Sequence, residues 1–225
     1  MEHKSIKALF VNGSPRKHKN TALLLAKAAE GAASSGAEVE TVHLYDLQYC
    51  GCTSCFACKL KEAKTAGVCA VRDGLRPVLE KAVAADVVVI GTPVYFSDVT
   101  GMTRAFLERF VFPNFSYDLD AAGNRLPPRL HKQTAMIFTM NIPEEGLEAW
   151  HYPLLLGTSV RILEQNFGHS EGLYVCNTYQ FDDYSRYAVA MFDEVAKRRH
   201  RDEHFPIDLQ RSYELGCRLV EQLKK

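Results

Sequence analysis

The stretch IKALFVNGSPRKHKNT at residues 6–21 decides the fold. Its apolar first part, residues 6–11, predicts a short strand, and the Asn-Gly-Ser-Pro sequence that follows predicts a turn. Asn20 or Thr21 is a natural N-cap for the Ala- and Leu-rich segment at residues 21–33, which predicts a helix. A strand that leads through a short polar loop into a helix is the first part of a βαβ unit.

The rest of the chain repeats this alternation. Further strands are predicted at residues 38–44, 86–91, 133–140 and 172–176. Further helices are predicted at residues 75–84, 101–110, 154–167, 184–199 and 209–223. Strands that are separated by helices pair in parallel through right-handed crossovers. We therefore predict an α/β protein with a doubly wound, five-stranded parallel sheet and helices on both faces.

Charge and hydropathy exclude several classes of protein. The 225 residues include 27 Lys and Arg and 27 Asp and Glu, so the net charge is zero, whereas nucleic-acid-binding proteins usually carry a basic excess. The basic run Lys197–Arg201 is interpreted as a solvated helix end. No apolar run reaches the roughly 18–20 residues that span a bilayer, and the polar start of the sequence is unlike a signal peptide. We expect a cytoplasmic protein that binds neither nucleic acid nor membrane.

The loop after the first strand predicts a site for an anion. Unpaired backbone N–H groups and the helix dipole favour negative charge at the start of a helix. The loop adds three neutral donors and three cations: Ser14, Asn20 and Thr21, and Arg16, Lys17 and Lys19. It lacks both the Gly-Lys-Ser/Thr ending of nucleotide triphosphatases and the Gly-x-Gly-x-x-Gly fingerprint of dinucleotide sites. The pattern favours a phosphate site, and the alternative is a polar turn with incidental charge.

A second candidate loop, GTPVYFSDVTG at residues 91–101, follows the third strand and is called the third loop, as the loop after the first strand is called the first loop. Pro93 fixes its own backbone and favours an extended conformation at Thr92. Tyr95 and Phe96 then lie where they would form a wall for a planar ligand, or alternatively cap the core beneath a loop. The fourth strand ends in Thr-Met-Asn at residues 139–141, and ligands of such sheets bind at the carboxyl ends of the strands.

Together these loops resemble those of the NAD(P)H-dependent FMN reductase and flavodoxin-like oxidoreductase superfamily. The residues that carry the resemblance are GSPRKHKNT after the first strand and GTPVYFSDVTGMTRAFLER after the third, and it extends over roughly residues 5–177. The resemblance implies a flavodoxin-like fold with strand order 2-1-3-4-5, bound FMN, and NAD(P)H as co-substrate. It also implies a homodimer or homotetramer with flavin sites near the subunit interfaces.

The resemblance further implies which residues contact FMN. The residues expected at the phosphate are Ser14, Arg16, Asn20 and Thr21. Those expected at the isoalloxazine ring are Pro93, Val94, Tyr95 and Phe96, with Thr139, Met140 and Asn141 close by. No catalytic acid or base is assigned, because the flavin itself carries the chemistry of this class of enzyme.

The activity implied is electron transfer from NAD(P)H to a small acceptor. The acceptors that fit are a quinone, a free flavin, a nitro or azo compound, an iron centre or a redox protein. We expect residues 1–180 to form the FMN-binding domain, including a cysteine-rich loop at residues 49–69. Residues 181–225 are expected to form C-terminal helices that belong to the same domain or to an oligomer interface.

The cysteine-rich loop begins with YCGCTSCFAC at residues 49–58. The two-residue spacing of Cys52, Cys55 and Cys58 suits three thiolate ligands of a [4Fe–4S] cluster, and Cys69 is the candidate for the fourth. The segment resembles that of the iron-sulfur flavoproteins, although Cys69 lies farther along the chain than their compact motif places it. Structural zinc and free, partly buried thiols are the alternatives.

Two other functions follow from these alternatives. With a cluster, the protein would be an iron-sulfur flavoprotein electron carrier that accepts electrons from ferredoxin and does not use a nicotinamide. Without any flavin, it would be a flavodoxin-like interaction module. The intact phosphate loop, with Arg16 and Asn20, argues against this last function.

Overall fold

The computed structural model describes residues 5–61 and 67–224, so part of the predicted cysteine-rich loop, residues 62–66, lies outside the described residues. The strands are β1 Ile6–Asn12, β2 Ala37–His43, β3 Val87–Tyr95, β4 Asp98–Val99, β5 Lys132–Thr139 and β6 Gly168–Val175. All except β4 pair in parallel, in the order β2-β1-β3-β5-β6. Counting the parallel strands alone, this is the predicted 2-1-3-4-5 order. The additional strand β4 was not predicted, and it pairs antiparallel with the end of β3.

Helices cover both faces of the sheet. They are α1 Asn20–Ser34, α2 Arg76–Ala84, α3 Gly101–Val111, α4 Glu145–Ala149, α5 Tyr152–Phe167 and α6 Glu194–Glu221. Apolar side chains of α1 and α6 form one buried layer with the sheet, and those of α2, α3 and α5 form the other. Successive residues of β1 and β3 point to opposite faces, which is why these strands are apolar throughout. No helix in the described part of the chain is both long and apolar enough to cross a bilayer.

The prediction of two C-terminal helices is wrong. Residues 194–221 form one helix of 28 residues with Pro206 inside it, and residues 184–186 form only a 3₁₀ turn. Asp193 begins the helix, because its carboxylate accepts hydrogen bonds from the N–H groups of Val195 and Ala196. Proline removes one backbone hydrogen bond from a helix interior. The burial of one face of α6 against α1 offsets this loss.

The helices α1 and α6 run parallel and approach each other closely. Ser212 donates a hydrogen bond of 2.7 Å to the carbonyl of Leu24, and Gly216 contacts Ala28 one turn farther along both helices. A Cβ atom on Gly216 would lie only 1.9 Å from the carbonyl oxygen of Ala28. The absence of a side chain at Gly216 therefore permits the close packing.

The substitution Gly216→Ala is expected to lower the free energy of unfolding by about 1–3 kcal/mol, because the new methyl group forces the two backbones apart. The control is Gly157→Ala in α5, where the new Cβ would meet only the hydroxyl of Tyr174, at 4.0 Å. This control is expected to be neutral or to stabilise by up to about 1 kcal/mol, through helix propensity. Urea unfolding measures both, and equal stabilities for the two variants would contradict the close packing.

The length of α6 determines what its first turns contact. With 28 residues against 15 in α1, and a rise of about 1.5 Å per residue, α6 projects beyond the start of α1. The start of α1 lies at the carboxyl edge of the sheet, directly after the loop that follows β1. The first turns of α6 therefore lie over the edge where the sequence predicts the functional loops.

Candidate functional site

A cavity of about 90 Å³ lies at the carboxyl edge of the sheet. Ten of the eleven predicted FMN-site residues line it: Ser14, Arg16, Asn20, Thr21, Pro93, Val94, Tyr95, Thr139, Met140 and Asn141. Phe96 does not, because its side chain is fully exposed at the tip of the β3–β4 hairpin. Lys19, Thr178 and Gln180 also line the cavity and were not among the predicted contacts. The structure thus brings together three loops that are distant in the sequence.

The first loop is held tightly against the loop after β3. The N–H of Gly13 donates to the carbonyl of Gly91 at 2.7 Å, and the Thr100 hydroxyl donates to the carbonyl of Gly13 at 2.9 Å. Asn12 accepts a hydrogen bond from the N–H of Ser14 at 2.9 Å. The helix α1 then begins at Asn20 without a hydrogen bond from the side chain of its N-cap residue, Lys19. Backbone N–H groups in the first turn are therefore available to an anion.

The third loop is a strained two-residue hairpin. Val94 pairs with Val99 and Tyr95 with Asp98, so that Phe96 and Ser97 form the turn. Both turn residues have positive φ, at 50° and 65°, a conformation that hairpin turns usually give to Gly, Asn or Asp. Such strain at a loop persists where the surrounding structure enforces it and is frequent at ligand sites. It presents the ring of Phe96 to solvent beside the cavity.

Tyr95 is the last residue of β3, and its side chain lies between the first loop and the rest of the third loop. Its side chain is half-exposed, and burial, with a smaller contribution from Tyr45, raises its pKa. Arg16 acts in the opposite direction, which places the guanidinium of the first loop near the phenol.

Residues 179–182, of which Gln180 lines the cavity, bind the first loop in a way that the sequence did not reveal. Arg16 donates a hydrogen bond of 2.6 Å to the carbonyl of Gln180, and Asn20 donates one of 2.9 Å to the carbonyl of Tyr179. Lys19 forms an ion pair with Asp182. The segment carries no recognisable motif, and its position depends on contacts with residues more than 150 positions earlier.

The basic run on α6 also reaches the site. Lys197 is only 7% exposed and donates to the backbone carbonyl of Asn141 at 3.0 Å and to the amide oxygen of the same residue. Arg201 donates to the amide oxygen of Asn20. Burial lowers the pKa of both cations. The interpretation of Lys197–Arg201 as a solvated helix end is therefore wrong, because α6 is long enough to carry two of these side chains over the cavity.

The cysteine-rich segment packs against α3 and forms a second, smaller cavity of about 10 Å³. The four predicted ligands, Cys52, Cys55, Cys58 and Cys69, all line it. Over residues 5–61 and 67–224, however, no group of three His, Cys, Asp or Glu side chains is arranged to hold a metal ion. The thiols that line this cavity have the chemistry of an iron-sulfur site, although no three of them surround a position for a single ion in the described residues.

A buried ion pair fixes this segment. Arg109 of α3 is 1% exposed, and its guanidinium donates to the carboxylate of Asp73 at 2.5 and 2.9 Å. It also donates to the carbonyls of Cys50 and Val71, at 3.0 and 3.2 Å. One side chain therefore joins the two ends of the cysteine-rich segment. Burial raises the pKa of Asp73, but the hydrogen bonds and the charge of Arg109, together with backbone N–H donors, outweigh burial and hold that pKa below the ordinary range.

The family model of the NADPH-dependent FMN reductases matches residues 6–148, which include the loops after β1, β3 and β5. The chain belongs to this family. The resemblance seen in the loop sequences is thereby confirmed. The matched range ends before Thr178, Gln180 and the helix α6, so these parts of the cavity lie outside the part of the chain that defines the FMN reductase family.

The relatives of this FMN reductase family member include an iron-sulfur flavoprotein of Archaeoglobus fulgidus. The two are 43% identical over 104 residues, which cover 46% of this chain and 48% of the relative. The chain spans about half the length of the curated relatives it matches.

Solved structures with the same fold have much lower sequence identity. An NAD(P)H:quinone oxidoreductase from Methanothermobacter marburgensis superposes with a TM-score of 0.68 at 16% identity, covering 95% of this chain and 98% of that one. A flavodoxin from the domain Archaea superposes with a TM-score of 0.52 at 15% identity, covering 98% of this chain and all of that one. These likenesses confirm the flavodoxin-like fold.

The residues at the carboxyl edge fit the FMN that the family name implies. The start of α1 offers backbone N–H groups, and the half-exposed Tyr95 offers an apolar face to a flat ring. Arg16, Lys197 and Arg201 form no salt bridge with any residue that the structure describes. Positive charge that lacks a carboxylate partner suits a phosphate group, which carries about −1.5 to −2 charge at neutral pH.

Proposed function

We propose that the protein is an FMN-dependent oxidoreductase that transfers electrons from NAD(P)H to a small acceptor. The acceptor would be a quinone, a free flavin, a nitro or azo compound, an iron centre or a redox protein. The observation that carries the proposal is the single cavity formed by the first loop, the third loop and residues 139–141 at the start of α1. These three loops lie within the range that matches the FMN reductase family.

Different loop residues would bind different parts of FMN. Ser14, Arg16, Asn20 and Thr21 would hold the phosphate, and Pro93, Val94, Tyr95 and Phe96 would contact the ring, with Thr139, Met140 and Asn141 beside it. FMN, when bound, supplies the hydride and electron transfer chemistry. The hydroxyl groups of Thr21 and Thr139, 2.7 Å apart, join the first loop to the end of β5 and so fix the distance between the two walls of the site.

We further propose that the protein forms homodimers or homotetramers through the surface beside the hairpin. Phe96, Trp150, Leu154 and Leu155 are exposed apolar side chains. The Ser97 hydroxyl donates to that of Tyr152 at 3.3 Å, which connects the hairpin tip to the start of α5. Exposed apolar groups that adjoin a ligand site are frequent at subunit interfaces.

The second candidate function is an iron-sulfur flavoprotein electron carrier that takes electrons from ferredoxin. Two observations favour it. The four cysteines line one cavity, and the Archaeoglobus relative is named as an iron-sulfur flavoprotein.

One experiment separates the candidates. The protein is purified anaerobically, supplied with FMN, and its visible spectrum is recorded before and after NADPH or NADH is added. Iron and acid-labile sulfide are measured on the same sample. We expect flavin absorption that bleaches promptly with the nicotinamide. Iron and sulfide, with bleaching only by reduced ferredoxin, would support the carrier. A protein that stays colourless with added FMN would leave only the flavin-less interaction module.

A further inference from the structure

Two cations on the first turns of α6 lie beyond the range that matches the family. Lys197 and Arg201 are four residues apart and therefore on the same face of the helix. Each reaches a polar residue of the cavity: Lys197 reaches Asn141 after β5, and Arg201 reaches Asn20 at the start of α1. The first turns of α6 therefore support two residues that line the cavity.

The environment of these cations leaves their charge only partly balanced. Arg201 lies over the ring of Phe205, with 3.7 Å between the guanidinium carbon and the ring centroid. The carboxylate that acts on the charge of Arg201 is that of Asp202, which raises its pKa against the lowering effect of burial. Lys197 feels the charge of Glu144 at longer range. Neither forms a salt bridge within the described part of the chain. A cation held in such a place is stabilised by any anion that enters the adjoining cavity.

Arg201 also determines how Asn20 is oriented. The amide oxygen of Asn20 accepts from Arg201, and one amide N–H donates to the carbonyl of Tyr179. A primary amide has two N–H donors, so the second is left for a ligand. Lys197 holds the amide oxygen of Asn141 in a comparable way. Both asparagines would otherwise be free to turn their oxygens toward the cavity and repel an anion.

We propose that Lys197 and Arg201 are positioning residues that make the site selective for a phosphorylated flavin. Both would add positive charge at the edge of the cavity, and Arg201 would also keep the amide oxygen of Asn20 away from the phosphate. This inference rests on the proposed FMN function. Riboflavin, which lacks the phosphate, would gain nothing from either residue.

The test compares the binding of FMN and of riboflavin to Lys197→Met, Arg201→Met and the wild type by flavin fluorescence titration. We expect the dissociation constant of FMN to rise about tenfold in each variant, since charge-assisted interactions of this kind are lost. The dissociation constant of riboflavin should stay the same. The matched control is Arg199→Met, because Arg199 lies on the same turns of α6 but is exposed to solvent.

Each other outcome has a distinct meaning. Equal losses of FMN and riboflavin affinity would show a structural role and overturn the selectivity. Unchanged FMN affinity would overturn it too, and Arg201→Lys, which keeps the charge, should recover part of the lost FMN affinity if the inference is right. A wild-type protein that binds neither flavin would instead overturn the proposed function itself.

Discussion

The substitution Arg109→Met is expected to lower the free energy of unfolding by about 3–5 kcal/mol, the cost of breaking a buried ion pair from one side. Methionine fills similar space, but it donates no hydrogen bond to Asp73. The carbonyls of Cys50 and Val71 also lose their guanidinium donor. These groups lie at both ends of the cysteine-rich segment. The substitution therefore destabilises the whole segment and does not merely remove a single contact.

The control for this experiment lies on the same helix. Arg104 of α3 forms an ion pair with Asp98 through one guanidinium nitrogen, and both side chains are partly exposed, at 37% and 53%. Arg104→Met should therefore cost only about 0.2–1 kcal/mol. Urea unfolding at neutral pH measures both variants. Equal losses of unfolding free energy in the two variants would mean that the Arg109 ion pair stabilises the fold no more than a surface ion pair does.

The pH dependence gives a second check on the Arg109 pair. The pKa of Asp73 is lowered in the folded protein, so the pair stabilises the fold above the ordinary carboxyl pKa of about 3.9 and loses this contribution as the pH falls through the lower folded value. The stability difference between wild type and Arg109→Met should therefore narrow below about pH 4. A stability difference that stays constant well below pH 4, where Asp73 becomes protonated, would contradict the assignment.

The parallel sheet could be predicted from the sequence because its signal is local. The β-branched run at the start of β3 has no other stable place than a strand buried on both faces. The loops after β1 and β3 were equally predictable, since each stands in sequence between a strand and a helix. The hairpin strand β4 was missed because two residues, Asp98 and Val99, are too few to show a period.

The C-terminal part of the site could not be predicted, because it depends on packing between distant helices. Pro206 lies between the two predicted helices, and the close contact of Gly216 with α1 shows why one long helix forms there instead. The partners Arg201 and Asn20 are 181 positions apart. Arg109 was overlooked for a similar reason, since its partner Asp73 lies 36 positions earlier in an irregular segment.

The substitution Gly13→Ala is expected to raise the dissociation constant of FMN by about 5- to 150-fold, because overpacking strain of about 1–3 kcal/mol is relieved by displacement of the first loop. A Cβ atom on Gly13 would lie 1.9 Å from the hydroxyl of Thr103 and 3.1 Å from the carbonyl of Gly91. Thr103 is fully buried, and its hydroxyl is hydrogen-bonded to that of Thr100. The Thr103 side chain therefore has no space to move away from the new methyl group. The loop must therefore move, and Ser14 moves with it.

The matched control is Gly101→Ala, at the start of α3, where a new Cβ would meet nothing within 4 Å. It should bind FMN like the wild type. Fluorescence titration gives the affinities, and urea unfolding of both variants shows whether Gly13→Ala also lowers the stability of the free protein. If Gly13→Ala binds FMN as tightly as Gly101→Ala, the first loop cannot be the phosphate cradle, because the backbone there would have shifted without consequence. A selective loss at Gly13 would instead tie FMN binding to the close approach of the first and third loops.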